Sequence, residues 1–449
     1  MIVKQMNKKM TMVMAIICLL PLGMLNAQDT LTVSLPKALE IAMSQSPTIK
    51  VANKEIERVN YSIKEKFAAA FPQINASGSY QRALKKQRMF LPFSFVPGQE
   101  PDPNGIEVGV DNNINFGIGA SLPLISPTLW AALEMTELDT KLVLESARSS
   151  KISLINQVSK AYYAILLTQD QYNVFKRSLQ NASENARIIQ KKFKQGTVSE
   201  FEWIRADVQV RNASSNLVSA ESAVNMSKLQ LKMIMGLEMN IGIKVEGSLS
   251  AFEKNKYEDV LQVDTSSLKT NTDLNQFDIK SSQLDHALKM QKAAWWPTLV
   301  ASFNLAYTTM GNDGKMSSFF PTSNAGVQLS IPLFQGGTRV YKEKQLKIQQ
   351  SELKDQRDNL RRSLEMQAIT YLDNIKKALE KIESNKEGLR QAEKALSISN
   401  KMYEVGSNTF LDLSNSELAF IQAGLMYNQS VFDYLSAKAD LEKLLGKKQ

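Results

Sequence analysis

Two stretches of the chain, each 68 residues long, contain almost no residue that interrupts a helix. Residues 128–195 include neither Pro nor Gly, and residues 338–405 include only Gly388. At a rise of 1.5 Å per residue, a helix of that length extends roughly 100 Å. Because a single globular domain is too small to bury such a helix, the sequence predicts an extended helical assembly.

The two stretches belong to an internal duplication of the chain. Matched positions recur at offsets of 225, 209 and 210 residues, and the difference is taken up by one longer loop, 82–113, in the first half. Nearly constant offsets of this kind indicate two structural repeats with the same order of elements. The matched prolines are predicted to lie at strand–helix junctions. The matched positions are Pro72 and Pro297, Pro123 and Pro332, and Gly196 and Gly406.

Each repeat is predicted to contain a helix, two strands, a long helix and a shorter return helix. The repeats cover 28–250 and 251–449, and Gly196 and Gly406 mark hairpin tips, since glycine ends a helix cheaply at positive φ. The first helices cover about 36–70 and 272–295. In the first repeat the strands cover about 73–81 and 114–124, the long helix 128–195 and the return helix 199–235. In the second repeat the strands cover about 298–308 and 324–334, the long helix 338–405 and the return helix 409–445.

Apolar residues recur at every seventh position along both long helices. This spacing is typical of helices that pack against one another as coiled coils. The series in the first long helix runs from Val158 to Phe193. In the second it comprises Ala368, Ile375, Ile382, Leu389, Leu396 and Tyr403.

The four predicted strands alternate between apolar residues and small polar residues. Ten residues with this alternation fit a transmembrane β-strand that faces lipid on one side and water on the other. A soluble antiparallel sheet packed on one face is the alternative. Four strands cannot close a barrel, and open edges are not tolerated in lipid, so several chains must contribute strands. Three copies give twelve strands, enough to enclose a water-filled lumen.

The first 27 residues have the organisation of a secretory signal peptide. Three lysines precede an apolar run from Met10 to Leu25, and polar sequence begins after Ala27. Cys18 is expected to leave with this segment, because Ile17 is too large for the residue before a lipid-bearing cysteine. One Cys and one His in the whole chain exclude an internal disulfide and a thiolate or imidazole metal cluster.

Composition also excludes several functional classes. The net charge of +9 falls to +6 without residues 1–27, and no basic block with interleaved aromatics predicts nucleic-acid binding. Neither a Ser/His/Asp set nor a glycine-rich phosphate loop is present, so neither an enzyme nor a cofactor site is expected. A secreted structural or adhesive coiled coil remains the alternative to a membrane protein.

The whole mature chain resembles the TolC-type outer membrane efflux protein family. The resemblance is carried by the duplicated order of elements, by Leu35-Pro36-Lys37-Ala38-Leu39 with Ser46-Pro47, and by the tips Phe193-x-x-Gly196 and Tyr403-x-x-Gly406. It implies a mainly α fold with a transmembrane β-barrel part. The trimer would have a 12-stranded barrel in the cell outer membrane and a long periplasmic α-helical barrel.

The resemblance also implies the partners of the protein. They are the other two copies of a homotrimer, outer-membrane lipid, a periplasmic adaptor, and an inner-membrane transporter of the RND, ABC or MFS type. The chain would be a passive exit duct of a tripartite efflux pump or a type I secretion system.

The same resemblance implies a gate at the inner end of the helices. By position, Asp412 would join an acidic ring at the entrance, and Tyr403 with Glu202 would form a latch between neighbouring hairpins. Two positions depart from the family pattern. Asn415 occupies the position of a second acidic residue, and Asn408 occupies the position of a latch arginine. The gate is therefore expected to be less acidic and less firmly closed than a gate that carries all the residues of the family pattern.

The residues at the start of each return helix also have a local interpretation. Ser199 with Glu202, and Thr409 with Asp412, match the Ser/Thr-x-x-acid pattern of a capping box. On this interpretation the acids only stabilise a helix start.

Two surface features have alternative interpretations as well. Trp295 and Trp296 suit either the lipid–water interface or ordinary packing. The loop 82–113 is predicted to be external, and its basic residues either contact anionic lipopolysaccharide or remain solvated. These residues are Arg82, Lys85, Lys86 and Arg88.

Overall fold

The computed structural model describes residues 31–93, 103–254, 265–312 and 315–446. The predicted signal peptide lies outside the described residues, as does part of the loop 82–113. The chain divides into two compact units, and each combines segments of both repeats. We call residues 1–50, 151–265 and 367–449 the helical unit, and residues 51–150 and 266–366 the sheet unit.

The described part of the chain is mainly α-helical, which confirms the predicted fold class. The two long helices contain 68 and 67 residues. They are continuous because proline is absent from their interiors, and the single Gly388 costs only about 1 kcal/mol. The helices are α1 (Leu35–Gln45), α2 (Pro47–Ala68), α3 (Pro127–Lys194), α4 (Glu200–Met235), α5 (Thr272–Ala293), α6 (Thr338–Glu404) and α7 (Phe410–Leu444).

The single helix predicted over 36–70 is two helices, α1 and α2, which meet at Ser46. Ser46 has an extended conformation with ψ of 133°. The residue before a proline is disfavoured in the α-helical region, so Pro47 ends α1 and itself occupies the first position of α2. The predicted boundary between the repeats, at 250/251, falls within a 3₁₀ helix, Leu249–Lys254.

Four long antiparallel strands of the sheet unit pair in sequence order. They are β2 (Gln73–Arg82), β5 (Asn112–Ile125), β7 (Thr298–Asn312) and β9 (Phe320–Ser330), and the short β8 (Lys315–Met316) also pairs with β7. The strand expected over 324–334 instead covers 320–330, and Pro332 beyond it has no N–H to donate to a ladder. The other short strands are β1 (Leu31–Val33), β3 (Gln87–Met89), β4 (Ile106–Val108) and β6 (Ile243–Val245).

The register of the sheet collects small polar residues on one face. One cross-strand row contains Asn75, Gly119, Asn304 and Asn324. This face borders a cavity of about 380 Å³. The opposite face exposes large apolar side chains to its surroundings. They are Ile74, Tyr80, Phe116, Ile118, Phe303, Tyr307, Val327 and Leu329.

The seven-residue series of α6 forms much of the core of the helical unit. Ala368, Ile375, Ile382, Leu396 and Tyr403 are buried, as the coiled-coil pattern predicts. Leu389 is half-buried and packs at the margin of this core. Among the described helices, none combines the length and apolar character needed to cross a membrane.

Candidate functional site

The two hairpin tips of the helical unit have the same backbone geometry. Gly196 and Gly406 have φ of 72° and 78°. In the first tip the N–H of Thr197 donates to the carbonyl of Lys192 at 3.0 Å, and the second tip has the corresponding bond at 2.9 Å. These bonds satisfy carbonyls at the helix ends, and glycine accepts the positive φ that they require. The tips therefore fix the starts of α4 and α7.

The start of α7 carries a complete capping box. The N–H of Asp412 donates to Thr409 Oγ1 at 3.1 Å, and the N–H of Thr409 donates to Asp412 Oδ2 at 3.3 Å. At the start of α4 the N–H of Glu202 donates to Ser199 Oγ at 3.3 Å. Within the described part of the chain, Glu202 does not return the reciprocal bond to Ser199. The local interpretation is thus confirmed for Asp412 and only half realised for Glu202.

Asp412 remains exposed although its carboxylate takes part in the cap. A carboxylate in the first turn of a helix is favoured by the helix dipole. Its second oxygen, Oδ1, is not used by the capping bonds and can face solvent or an ion. The ring of Asp412 side chains remains a prediction, because it requires neighbouring chains.

Tyr403 is buried among apolar side chains of the hairpins. Its ring meets Phe410 edge to face with centroids 6.3 Å apart. Among the described residues, its Oη has no hydrogen-bond partner. Burial, reinforced by the nearby carboxylate of Glu202, raises the pKa of Tyr403 to about 12. A buried hydroxyl without a partner is costly. The latch itself stays a prediction.

Lys192 is a contact of Tyr403 that the sequence did not suggest. Its Nζ donates to the carbonyl oxygen of Tyr403 at 2.7 Å and lies 4.7 Å from the centre of the tyrosine ring. The carbonyl belongs to the last turn of α6, where a cation is also favoured by the helix dipole. Lys192 therefore ties the ends of the two long helices together within one chain.

The two asparagines that depart from the family pattern differ in their surroundings. Asn408 donates through Nδ2 to Ser399 Oγ at 2.8 Å and accepts the N–H of Thr409 at 3.0 Å. Its side chain is therefore held within its own hairpin. Asn415 is exposed one turn beyond Asp412.

Glu417 is a buried acidic residue that the sequence pattern did not predict. It is 2% exposed, and Ser178 Oγ donates to its Oε1 at 3.0 Å. Burial raises the pKa of this carboxyl above its ordinary value, while the bond from Ser178 opposes that change. The only available sequence signal was an acid at a helical position that otherwise continues an apolar face, since Leu413 and Phe420 flank it.

The four matched prolines lie at or near the ends of strands in the sheet unit. Pro72 and Pro297 immediately precede β2 and β7, and Pro332 follows β9. Pro123 lies inside β5, where the pairing with β7 shifts register.

The guanidinium of Arg339 lies 5.0 Å from the ring of Trp295.

Comparison with known families gives one match that covers most of the chain. A model of the family described as "Outer membrane efflux protein" matches residues 38–237 and 265–447. The matched segments include both hairpin tips and all four long strands.

Individual proteins are similar to this chain at low identity. "Alkaline protease secretion protein AprF" of Pseudomonas aeruginosa is 22% identical over 314 residues, covering 67% of this chain and 63% of that protein. "Outer membrane protein TolC" of Escherichia coli is 21% identical over 427 residues, covering 90% and 83%. The crystal structure of the Campylobacter jejuni CmeC outer membrane channel superposes with a TM-score of 0.73 at 17% identity, covering 92% of this chain and 85% of that one.

Proposed function

Because this chain belongs to the outer membrane efflux protein family and is a protein of the cell outer membrane, we propose that it forms a passive exit duct. The duct serves a tripartite efflux pump or a type I secretion system. A periplasmic adaptor joins it to an inner-membrane transporter of the RND, ABC or MFS type, which supplies the energy. The chain performs no catalytic step and uses no cofactor. The outer-membrane location does not fit a secreted coiled coil or adhesin.

The sheet with two open edges is the observation that carries this proposal. Strands β2 and β9 are the outermost long strands, and no strand of the described part of the chain pairs with the outer side of either. In lipid each unpaired backbone group costs several kcal/mol, so the edges must pair with strands of other chains. A homotrimer closes the sheet into a barrel of twelve long strands.

The two faces of the sheet fit the two sides of such a barrel. The polar face supplies a hydrated lumen, and the exposed apolar face supplies the lipid contact. On β7 the apolar alternation runs from Leu299 to Tyr307, which is about 26 Å along the strand at 3.3 Å per residue and about 20 Å of membrane depth at a strand tilt of about 40°. An outer-membrane barrel has an apolar band about 25 Å tall.

Membrane fractionation followed by mass measurement in detergent tests this proposal. The protein is expected in the outer-membrane fraction, with a protein mass three times that of the processed chain. In planar bilayers it should form ion-conducting pores. A soluble periplasmic monomer without conductance would exclude both the barrel and the duct.

We further propose that the hairpin tips form the periplasmic gate of the duct. Asp412 side chains of the three copies surround the entrance, and Tyr403 with Glu202 of a neighbouring hairpin forms the latch. The nearness of the Glu202 carboxylate to Tyr403 and the exposed carboxylate of Asp412 support these roles. Since Asn415 and Asn408 supply neither a second acid nor a cation, the gate relies on a single acidic ring.

Replacing Asp412 by Asn is expected to weaken block of the pore by a trivalent cation from the periplasmic side by at least tenfold. The change removes three clustered charges, and a tenfold effect corresponds to about 1.4 kcal/mol. Hexamminecobalt block in planar bilayers measures it.

Thr409→Ala is the matched control for the gate, because it removes the side-chain cap and keeps the carboxylate. It should cost about 1 kcal/mol of local stability and leave the block unchanged. If Asp412→Asn and Thr409→Ala behave alike, Asp412 acts as a helix cap alone.

A further inference from the structure

The end of the sheet away from its helix junctions carries a small basic and apolar patch. We propose that Arg82 and Lys85 bind the phosphate groups of an anionic lipid in the outer leaflet of the membrane. We call Arg82, Leu84 and Lys85 the rim patch. The inference rests on the proposed function, in which the apolar face of the sheet contacts lipid and this end faces the cell exterior.

Arg82 continues the apolar face of the sheet. It is the last residue of β2 and lies two positions after Tyr80, so both side chains project from the same face. Tyr80 donates through its hydroxyl to Asn112 Oδ1 at 2.8 Å, which holds an exposed aromatic ring at this level. An aromatic residue followed by a cation matches the change from hydrocarbon to headgroup at a membrane interface.

The cations of this loop fall into two groups. Lys86 forms an ion pair with Asp111 at 3.0 Å, and Arg88 forms one with Glu107 at 3.2 Å. These two bonds use the charges to hold the loop together. Arg82 and Lys85 form no ion pair with any residue in the described ranges, and both are exposed. Neither charge is used to hold the described part of the loop together.

Leu84 gives the rim patch its apolar part. Its side chain is 94% exposed and lies between Arg82 and Lys85 in sequence. An isolated exposed leucine is common on protein surfaces, but this one follows two residues after Arg82, which itself continues the face that exposes Ile74 and Tyr80. A dissolved phosphate ion has no contact to make with Leu84, whereas a lipid offers acyl or glycan surface beside its phosphate. This continuity favours a lipid over a free anion.

Binding of defined lipids to the full-length protein in detergent tests the proposal. Native mass spectrometry should show retention of bis-phosphorylated lipid A by the parent protein and weaker retention of a dephosphorylated form. The double variant Arg82→Gln/Lys85→Gln should bind the phosphorylated form about tenfold more weakly, since it removes both cations that form charge-assisted bonds with the phosphates. Arg82→Lys with Lys85→Arg should retain binding.

The double variant Lys50→Gln/Lys54→Gln is the matched control, because it removes two exposed cations from α2 and changes net charge equally. It should bind like the parent. Equal loss in the control, or binding within twofold of the parent in the rim-patch variant, would overturn the proposal. If inorganic phosphate at the same concentration as lipid A displaced the bound lipid A, the proposal that the ligand is a lipid would be overturned. A parent protein that forms no pores contradicts the proposed function, whereas conducting pores without lipid retention contradict this inference alone.

Discussion

Replacing Ile375 by Asp is expected to abolish trimer assembly and export while leaving secretion into the periplasm intact. Ile375 belongs to the seven-residue series of α6 and is 0% exposed. An ionised carboxylate without a partner at such a site costs several kcal/mol unless it takes up a proton. Since the free energy of unfolding of a whole domain is only about 5–15 kcal/mol, one such change removes a large share of it. Trimer yield, thermal unfolding in detergent and an export assay measure the effect.

Leu389→Asp is the matched control for Ile375→Asp. Both positions belong to the seven-residue series, so the sequence alone predicts equal effects. In the structure Leu389 is half-buried and lines a cavity of about 230 Å³, where a carboxylate can keep water. Its substitution should therefore be the milder one, with trimer still recoverable. Normal assembly of the Ile375 variant would show that the seven-residue series does not pack in the core, and an equal loss in both variants would show that their difference in burial has no effect on assembly.

Replacing Gly236 by Ala is expected to destabilise the helical unit by about 3 kcal/mol. Gly236 has φ of 76°, which costs an L-residue roughly 1–2 kcal/mol. A Cβ there would also lie 2.6 Å from the carbonyl oxygen of Gln45 and 2.9 Å from Pro47 Cδ. Backbone and proline ring atoms cannot move aside by rotating, as a flexible side chain can. The steric overlap therefore adds about 1–3 kcal/mol to the loss of stability.

Gly196→Ala separates the two contributions in Gly236→Ala. Gly196 has φ of 72°, yet nothing lies within 4 Å of the position its Cβ would take. This change should cost only the 1–2 kcal/mol of the backbone conformation. Denaturant unfolding of both variants in detergent compares them. Equal losses would mean that the contact with the α1–α2 junction contributes nothing.

Much of the fold follows from the sequence because it is encoded over short distances. Helix continuity depends on the absence of proline and turn-forming glycine, and strand faces depend on alternation between adjacent residues. The tips at Gly196 and Gly406 and the complete cap at Thr409–Asp412 are likewise local. Each of these features is decided within about five residues, so inspection of the sequence finds it.

The internal duplication predicts the order of the helices and strands. It does not predict the pairing of β1 with β6 or the break between α1 and α2. The parallel pairing of β1 with β6 joins residues more than 200 positions apart, and three-residue strands carry no detectable alternation. The break between α1 and α2 had a signal in Pro47, but proline at this position is also compatible with a bent helix.

Contacts between distant segments were decided only by the tertiary structure. Lys192 and Tyr403 are 211 positions apart, and Ser178 and Glu417 are 239 apart. Which member of a regular apolar series is fully buried, as Ile375 is and Leu389 is not, depends on the side chains that other helices bring against it. The same holds for the cations of the loop, because only folding brings Asp111 to Lys86, while Arg82 forms no ion pair within the described ranges. Periodicity fixes the face of an element, whereas burial and pairing depend on what packs against that face.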